Sequence, residues 1–478
     1  MSKTSASNAT SATSGAKGSR ATSGRSGAGG AGAARPDRPD IVAVLRERGL
    51  IHQLTETGLA EAAARGRLVV YCGFDPSAPS LHLGNLVPVM ALAHFQRCGH
   101  RPIVLVGGGT GMIGDPSGKA SERVLLAPED VAANAAALRR QLAPLLDFAA
   151  PDGAVMLDNA AWLGKMTAIE FLRDIGKHFT VNAMMAKESV KVRLESREQG
   201  ISFTEFSYMI LQATDFLHLY EHEGCTVQVG GSDQWGNITA GVDLIRRTHG
   251  GEAEGDTEGE RAGALVAAHG LTTPLLTTAS GAKFGKSESG AIFLDPALTT
   301  PYAMYQYLIN VDDRDVGTLL RIFTFLPVEE IGELERALAA DPAGRAAQRR
   351  LAFAVTALIH GEATAHQVAA AAKVLFGGGV DELTPDVLPH LAAAVPTTRV
   401  SAADLARGLP LLETLVGAGL ARSKGAGRTL VAQGGLYVND QRWGDADRAL
   451  TLADALFGRA LLLRAGKRTY HLLLAAKA

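Results

Sequence analysis

The chain has 478 residues, 46% hydrophobic and 5% aromatic, with 47 Lys and Arg against 49 Asp and Glu for a formal charge of -2. At ~100 to 200 residues per domain this excludes a peptide hormone or disulfide mini-protein and gives room for roughly two to four domains with sizeable cores. The near-neutral total does not by itself suggest a nucleic-acid partner, but opposite local charges cancel in such a sum and have to be resolved along the chain.

Residues 1–40 are mostly Ser, Ala, Gly, Thr and Arg and contain no Leu, Ile, Val or Phe, so a disordered tail is expected. Its six Lys and Arg against Asp37 and Asp40 make it locally +4. A transit peptide would need an amphipathic helix, and the segment lacks the apolar side chains to build one. From Ile41 short apolar runs alternate with helical stretches, the pattern of an α/β domain with a parallel sheet. Strands are predicted at 69–72, 103–106, 154–157 and 226–229, each followed by a Gly-, Asp- or Asn-rich turn of the kind at which open α/β sheets place ligands. The stretch 251–263 carries five acids and one Arg and reads as a solvated loop insertion.

Beyond residue 300 helical periodicity dominates, which predicts a helical domain over 301–372. A Gly- and Pro-containing linker is expected over 373–405 and a compact domain over 406–478. Residues 401–478 hold eleven Lys and Arg against six Asp and Glu, a net +5, so the two basic ends leave -11 for residues 41–400. Cys72, Cys98 and Cys225 form no CxxC pair, which disfavours a disulfide framework or zinc knuckle and fits a reducing compartment. No apolar run approaches the ~18 residues of a membrane span, and a soluble, cytoplasmic protein is expected.

Five motifs carry chemistry. YCGFDPSAPSLHLGN (71–85) leaves a strand and enters a helix with Asn85 near its cap and Pro88 in the first turn; His82 and Gly84 there suit an anion, although alone they describe an ordinary capped turn. GGGTGMIGDPSGK (107–119) contains GxGxxG after a strand. Asp115, Pro116 and Gly118 would break the helix of a dinucleotide fingerprint, and Ile113 and Ala120 spoil a Walker A loop. A flexible glycine loop followed by Lys119 and Arg123 remains, usable for a triphosphate. In SFTEFSYMILQATD (202–215), Tyr208, Gln212 and Asp215 at i, i+4 and i+7 share one helical face, which spacing alone would make a solvated stripe. QVGGSDQWGNI (228–238) ends a strand in glycines before a Ser-capped helix and sets Asp233 and Gln234 at the sheet edge. AKFGKSE (282–288) offers Lys283 and Lys286 in a mobile loop able to reach a pyrophosphate.

In this order, from about Ile41 to the C-terminus, the motifs resemble the bacterial tyrosyl-tRNA synthetases, class I aminoacyl-tRNA synthetases, with HLGN in the place of HIGH and KFGKS in that of KMSKS. The resemblance implies a Rossmann-like parallel-sheet nucleotide-binding catalytic domain, a helical tRNA-binding domain and a small α+β S-four-like RNA-binding domain. It implies that Tyr71 and Asp215 read a phenol hydroxyl, that Tyr208, Gln212 and Asp115 bind the α-amino group, that Gln228 lines the pocket and that Gln234 lies near the carboxylate. Gly73, Asp75, His82, Gly84, Asn85, Asp233 and Lys286 would surround ATP and the adenylate. Charge stabilisation at the phosphates falls to Ser77, His82, Lys119, Arg123, Lys283 and Lys286, with Mg²⁺ arriving on ATP and no dedicated metal site. LLETLVGAGLARSKGAGRTLVAQGGLYVND (411–440) resembles the S-four-like domain, with Arg422, Ser423, Lys424 and Arg428 on a basic tRNA-binding face and Gly434, Gly435 and Asn439 shaping a hairpin.

The implied partners are tRNA, L-tyrosine, ATP and a second copy in a homodimer. Asn85 in place of the last His of HIGH, and Phe284 and Gly285 in place of Met and Ser of KMSKS, depart from the family pattern. The rivals are a tryptophanyl enzyme, against which Tyr71 with Asp215 favours a phenol, and a non-catalytic RNA-binding relative, against which the retained polar set argues.

Overall fold

A computed structural model describes residues 38–55, 58–117, 127–195, 200–250, 268–287, 290–381 and 383–476. Residues 1–37 of the expected tail, the acidic stretch 251–263, Lys119 and Arg123 lie outside these residues, and of Lys286 only the backbone is described. The last tail residues are ordered: Asp40 caps the helix Ile41–Glu47, its carboxylate accepting from the Val42 and Ala43 amides.

The first sheet has six strands: β1 (Gln53–Leu54), β2 (Val69–Phe74), β3 (Arg101–Val106), β4 (Val155–Asp158), β5 (Val227–Gly231) and β6 (His269–Thr273), in the order β1-β6-β5-β2-β3-β4. All neighbours are parallel except β1, which runs antiparallel to β6. The chain builds outward from β2 through β3 to β4, then returns to the other side of β2 as β5. The order therefore reverses between β2 and β5, where crossover connections diverge and leave a crevice at the strands' C-terminal ends.

Alternation along β2 sorts its side chains between two layers. Val70, Cys72 and Phe74 join the core built on the helix Leu83–Arg97, while Tyr71 joins the core under the helices Phe203–Glu223 and Trp235–His249. The helix Leu83–Arg97 buries ten of its residues, being covered by the sheet on one side and by the helix Val316–Phe323 on another. Pro88 lies in its second turn, not in the first as expected, and removes the N–H that would otherwise bond the Gly84 carbonyl. Ser202 caps the long helix Phe203–Glu223, and Gly224 ends it in the left-handed conformation at φ 65°. Ser232 is not the cap of the next helix: Ser232–Gln234 form one 3₁₀ turn, and the α-helix begins at Trp235.

Short strands β7 (Lys286–Ser287) and β8 (Gly290–Ala291) precede the expected helical stretch, with helices at Pro301–Ile309, Val316–Phe323, Val328–Ala340, Ala346–His360 and Glu362–Leu375. The expected linker 373–405 is instead structured. It holds the helix Leu388–Ala394 and strand β9 (Thr397–Val400). Its glycines and prolines punctuate elements, while Val387, Leu388 and Leu391 bury against Ala460, Leu462 and Leu472. A second sheet follows with β10 (Leu436–Val438), β11 (Gln441–Arg442), β12 (Ala460–Ala465) and β13 (Thr469–Ala475), ordered β11-β10-β12-β13-β9. β9 runs parallel to β13 and the other pairs are antiparallel. The β10–β11 hairpin turns through Asn439 and Asp440, both at positive φ (49° and 62°), as a two-residue hairpin of this hand requires.

Candidate active site

At the β2/β5 crevice the parallel register sets Tyr71 beside Gln228, so both point to the same face. The Tyr71 ring packs on Phe216 at 5.3 Å, and both side chains are fully buried. The Tyr71 hydroxyl and Gln228 Oε1 have no hydrogen-bond partner among the described residues. Burial, and then the nearby Asp215, push the Tyr71 phenol well above its ordinary pKa, which keeps it a neutral donor. A polar atom left unpaired in a closed core costs free energy unless a ligand completes it.

Asp215 is buried on the facing helix, with Oδ2 accepting from Asn159 Nδ2 and Oδ1 from Trp162 Nε1, both at 2.8 Å. Desolvation raises its pKa to about 7 even though these two donors pull it down. Asn159 and Trp162 were not singled out from the sequence. Their signal was the position of Asn159 directly after β4, at the same C-terminal sheet edge as the other motifs.

Asn159 also organises the glycine-rich segment. Its Oδ1 accepts from the Gly109 amide at 2.7 Å and its Nδ2 donates to Thr110 Oγ1 at 2.9 Å, while Thr110–Met112 form a 3₁₀ turn. The described part of the expected flexible loop is thus pinned. Its first glycines make room for acids: a Cβ at Gly107 would lie 2.1 Å from Asp75 Oδ1, and one at Gly108 would lie 2.2 Å from Asp158 Oδ1.

Tyr208, Gln212 and Asp215 do share the inward face of one helix, and the solvated-stripe reading fails because Tyr208 and Asp215 are buried. The Tyr208 hydroxyl donates to Asp75 Oδ2 at 2.8 Å, and Asp75 Oδ1 accepts from Thr110 Oγ1 at 2.8 Å. Asp75, expected on the nucleotide side, therefore also belongs to the wall formed by Tyr208. Asp115 Oδ1 accepts from the Ser117 amide at 2.9 Å, and Oδ2 from Gln234 Nε2 at 2.7 Å. Asn237, also missed, joins this group, with Nδ2 lying 3.1 Å from both Gln212 Oε1 and Gln234 Oε1 and 3.3 Å from Ser117 Oγ. Asp233 titrates above its ordinary value, chiefly by burial and then by the neighbouring Asp115. Asp75 and Asp115 both act electrostatically on Tyr208, so this wall of the crevice is acidic.

At the other end of the crevice His82 caps the helix Leu83–Arg97. Its Nδ1 accepts from the Asn85 amide at 3.3 Å, while Asn85 Oδ1 accepts from the His82 amide at 3.1 Å. In the neutral ring an accepting Nδ1 puts the proton on Nε2, so His82 is set up as a donor. Asn85 thus acts first as the reciprocal cap partner.

The KFGKS segment lies against this helix start. The Leu83 amide donates to the Ile292 carbonyl, whose own amide donates to the Gly285 carbonyl. The Gly285 amide donates to the Tyr307 hydroxyl at 2.8 Å, and Phe284 is buried with its ring 5.5 Å from both Tyr307 and Phe323. A Cβ at Gly285, where φ is 82°, would come 3.1 Å from the Gly84 amide nitrogen. Phe284 and Gly285 therefore anchor the segment. Lys283 is exposed, and its charge lowers the Asp233 pKa, which places the two within electrostatic reach. Gly73, near the C-terminal end of β2, is exposed with open space where a Cβ would stand, and Ser77 is exposed in the loop that follows β2.

In the second half, Ser423 caps the helix Lys424–Ala432. Lys424 Nζ lies 2.6 Å from Glu413, and Arg428 pairs with Asp447 at 2.8 Å. Arg422 is exposed in the turn before the helix. Gly434, at φ 66°, sits against the Arg442 guanidinium, and Asn439 ties the hairpin to the Leu462 amide.

Comparison with known proteins gives two family matches: tRNA synthetases class I (W and Y) over residues 63–377, and the tyrosine–tRNA ligase SYY-like C-terminal domain over residues 388–473. The tyrosine–tRNA ligase of Opitutus terrae is 51% identical over 89% of this chain and 97% of its own length. That of Roseiflexus castenholzii is 51% identical over 91% and 99%. Among solved structures, a C-terminally truncated mitochondrial tyrosyl-tRNA synthetase of Aspergillus nidulans is similar at 33% identity and a TM-score of 0.61, covering 71% of this chain and 95% of that one.

Proposed function

The chain belongs to the class I tRNA synthetases of the tryptophan and tyrosine group, and from its relatives and its buried polar pocket we infer that it is an ATP-dependent tyrosine–tRNA ligase. The observation that carries the choice of amino acid is the unpartnered Tyr71 hydroxyl in a closed core that also holds Asp215. A phenol hydroxyl inserted there accepts from Tyr71 and donates to Asp215. Phenylalanine would leave both groups unsatisfied, and tyrosyl-tRNA synthetases are themselves the standing example of such rejection. Gln228 Oε1 completes the same pocket.

The ammonium group lies among Tyr208, Gln212 and Asp115, and the carboxylate near Gln234. ATP occupies the crevice along Gly73, Asp75, His82, Gly84, Asn85 and Asp233. A tyrosine carboxylate oxygen attacks the α-phosphorus, the bond to the β-phosphate oxygen breaks, and pyrophosphate departs with its electron pair. The carboxylate is already a nucleophile, so no protein base is required. Positioning and charge carry the step, through the His82 Nε2–H donor, Ser77, Lys119, Arg123, Lys283 and Lys286. A 3′-terminal ribose hydroxyl then attacks the adenylate carbonyl carbon and AMP leaves. The described residues hold no cluster of three or more His, Cys, Asp or Glu suited to a metal, and Mg²⁺ is assigned to the ATP phosphates.

We assign the sheet domain to activation, and the helices of 301–372 and the C-terminal domain to tRNA, with Arg422, Ser423, Lys424 and Arg428 on the phosphate-binding face. A homodimer is supported by exposed apolar side chains gathered in one stretch, including Ile169 (70% exposed), Val181 and Phe203 (77%). None of the described helices is long and apolar enough to cross a membrane, in keeping with a cytoplasmic enzyme. The test is amino-acid-dependent ATP/pyrophosphate exchange. Exchange with tyrosine alone is expected. Exchange only with tryptophan would overturn the substrate, and none with any amino acid would favour a non-catalytic RNA-binding relative.

A further inference from the structure

Three aromatic rings are stacked behind the phenol-reading carboxylate. On the helix Phe203–Glu223, Asp215, His218 and His222 stand at i, i+3 and i+7 and share a face. The His218 imidazole lies flat on the Trp162 indole, with centroids 4.2 Å apart and planes 16° apart. His222 lies on His218 in turn, at 4.1 Å and 20°. His222 Nδ1 is 2.9 Å from the His218 carbonyl oxygen, which can only accept, so Nδ1 carries the proton there and the outer ring is held by its own helix. At the inner end, Trp162 Nε1–H donates to Asp215 Oδ1.

An indole N–H lies in the plane of its ring, so the direction of that hydrogen bond is set by the tilt of the indole. Trp162 follows β4 on a short helical turn, Ala160–Leu163, and is only partly buried. Its ring packs at the margin of the core under the long helix, and the flat His218 ring at stacking distance is the ring contact that sets its tilt. The Asn159 amide holds the other carboxylate oxygen. Between them the two donors orient the plane of Asp215, and with it the lone pairs left for a third hydrogen.

We propose that His218 is a positioning residue for amino-acid selection: by holding the plane of Trp162 it keeps Nε1–H on Asp215 and so aims the carboxylate at the substrate's phenol hydroxyl. This rests on the reading of Asp215 as the phenol reader. Since the stack touches neither ATP nor the reacting carboxylate, its loss acts on tyrosine affinity and selectivity and spares the rate at saturation.

The experiment is ATP/pyrophosphate exchange by the full chain with tyrosine and with phenylalanine, for wild type, His218→Ala and His218→Phe. In His218→Ala the KM for tyrosine should rise about tenfold, as for a misdirected hydrogen bond to a charged group. The tyrosine-to-phenylalanine ratio of kcat/KM should fall by a similar factor, with kcat within about twofold. His218→Phe keeps a flat ring and should restore both values. An unchanged KM and ratio in His218→Ala would overturn the proposal. So would His218→Phe as impaired as His218→Ala, and this comparison still decides if the alanine variant does not fold. Wild-type exchange that does not depend on tyrosine would overturn the reading of Asp215 itself, before any variant is compared.

Discussion

The pocket under β2 and β5, proposed to read a phenol, and the basic face of the C-terminal helix Lys424–Ala432, proposed to hold tRNA phosphates, would each recognise a partner through polar groups, by opposite physical means. In the pocket Asp215 is fully buried and already holds two donors, and the Tyr71 hydroxyl waits unpaired, so one added or missing hydroxyl changes the balance by a full desolvated hydrogen bond. On the basic face Lys424 and Arg428 are exposed and sit on Glu413 and Asp447. A phosphate binding there would replace an acid that already neutralises the cation, in water that screens both. Burial makes the first site selective, and exposure makes the second adaptable and salt-sensitive.

The contrast can be broken at the pocket first. Asp215→Ala strands the Asn159 and Trp162 donors and removes the phenol's acceptor, so kcat/KM for tyrosine in pyrophosphate exchange should fall by roughly 100-fold or more. A residual activity within a fewfold of wild type would mean that Asp215 does not read the substrate. The second expectation concerns pH. Burial holds Asp215 protonated up to about pH 7, and only the ionised form accepts from Trp162, Asn159 and a phenol together. Tyrosine affinity should therefore rise as pH rises through 7, by up to about tenfold between pH 6 and 8. For folding the sign is opposite: this carboxyl favours the folded state at low pH, and its contribution is lost as pH climbs toward 7. Titration of the KM for tyrosine against pH checks the first statement, and a melting series without ligand the second.

Tyr71→Phe sharpens the comparison. Among the described residues its hydroxyl has no partner to lose, so thermal stability should hold or increase while the KM for tyrosine rises about two- to tenfold. A melting temperature that falls would show that the hydroxyl serves the fold. The smallest effect belongs to the exposed face, where Lys424→Ala should weaken tRNA binding by less than about threefold at moderate salt. Glu413→Gln, which frees Lys424, should tighten it. Filter binding over a salt series distinguishes this from no contact at all, which would leave both affinities unchanged.

Four strands of the first sheet, the long helix and a capped helix start near Asn85 were legible because each is a local pattern: a short apolar run before a turn, an i, i+4, i+7 face, a cap residue ahead of a helix. Asn159, Trp162 and Asn237 were not, because what makes them part of the site is contact across strands far apart in sequence. The glycines at 107 and 108 looked like phosphate-approach residues, yet they clear space for Asp75 and Asp158, a demand visible only once β2, β3 and β4 stand side by side. The stretch 373–405 was misread for a related reason. Its apolar residues are closely punctuated by Gly, Pro and Asp, and their partners Ala460, Leu462 and Leu472 come much later in the chain.

That late partnership has a consequence in time. β9 is the edge strand of the second sheet and its neighbour is β13, a parallel pairing that must wait for everything between them. On the ribosome all six strands of the catalytic sheet emerge before β9 does, and β9 emerges well before its neighbour exists. Translation therefore favours a crevice that forms early and a second sheet that closes last, and the helix Leu388–Ala394 gains its covering from β12 and β13 only in that final step.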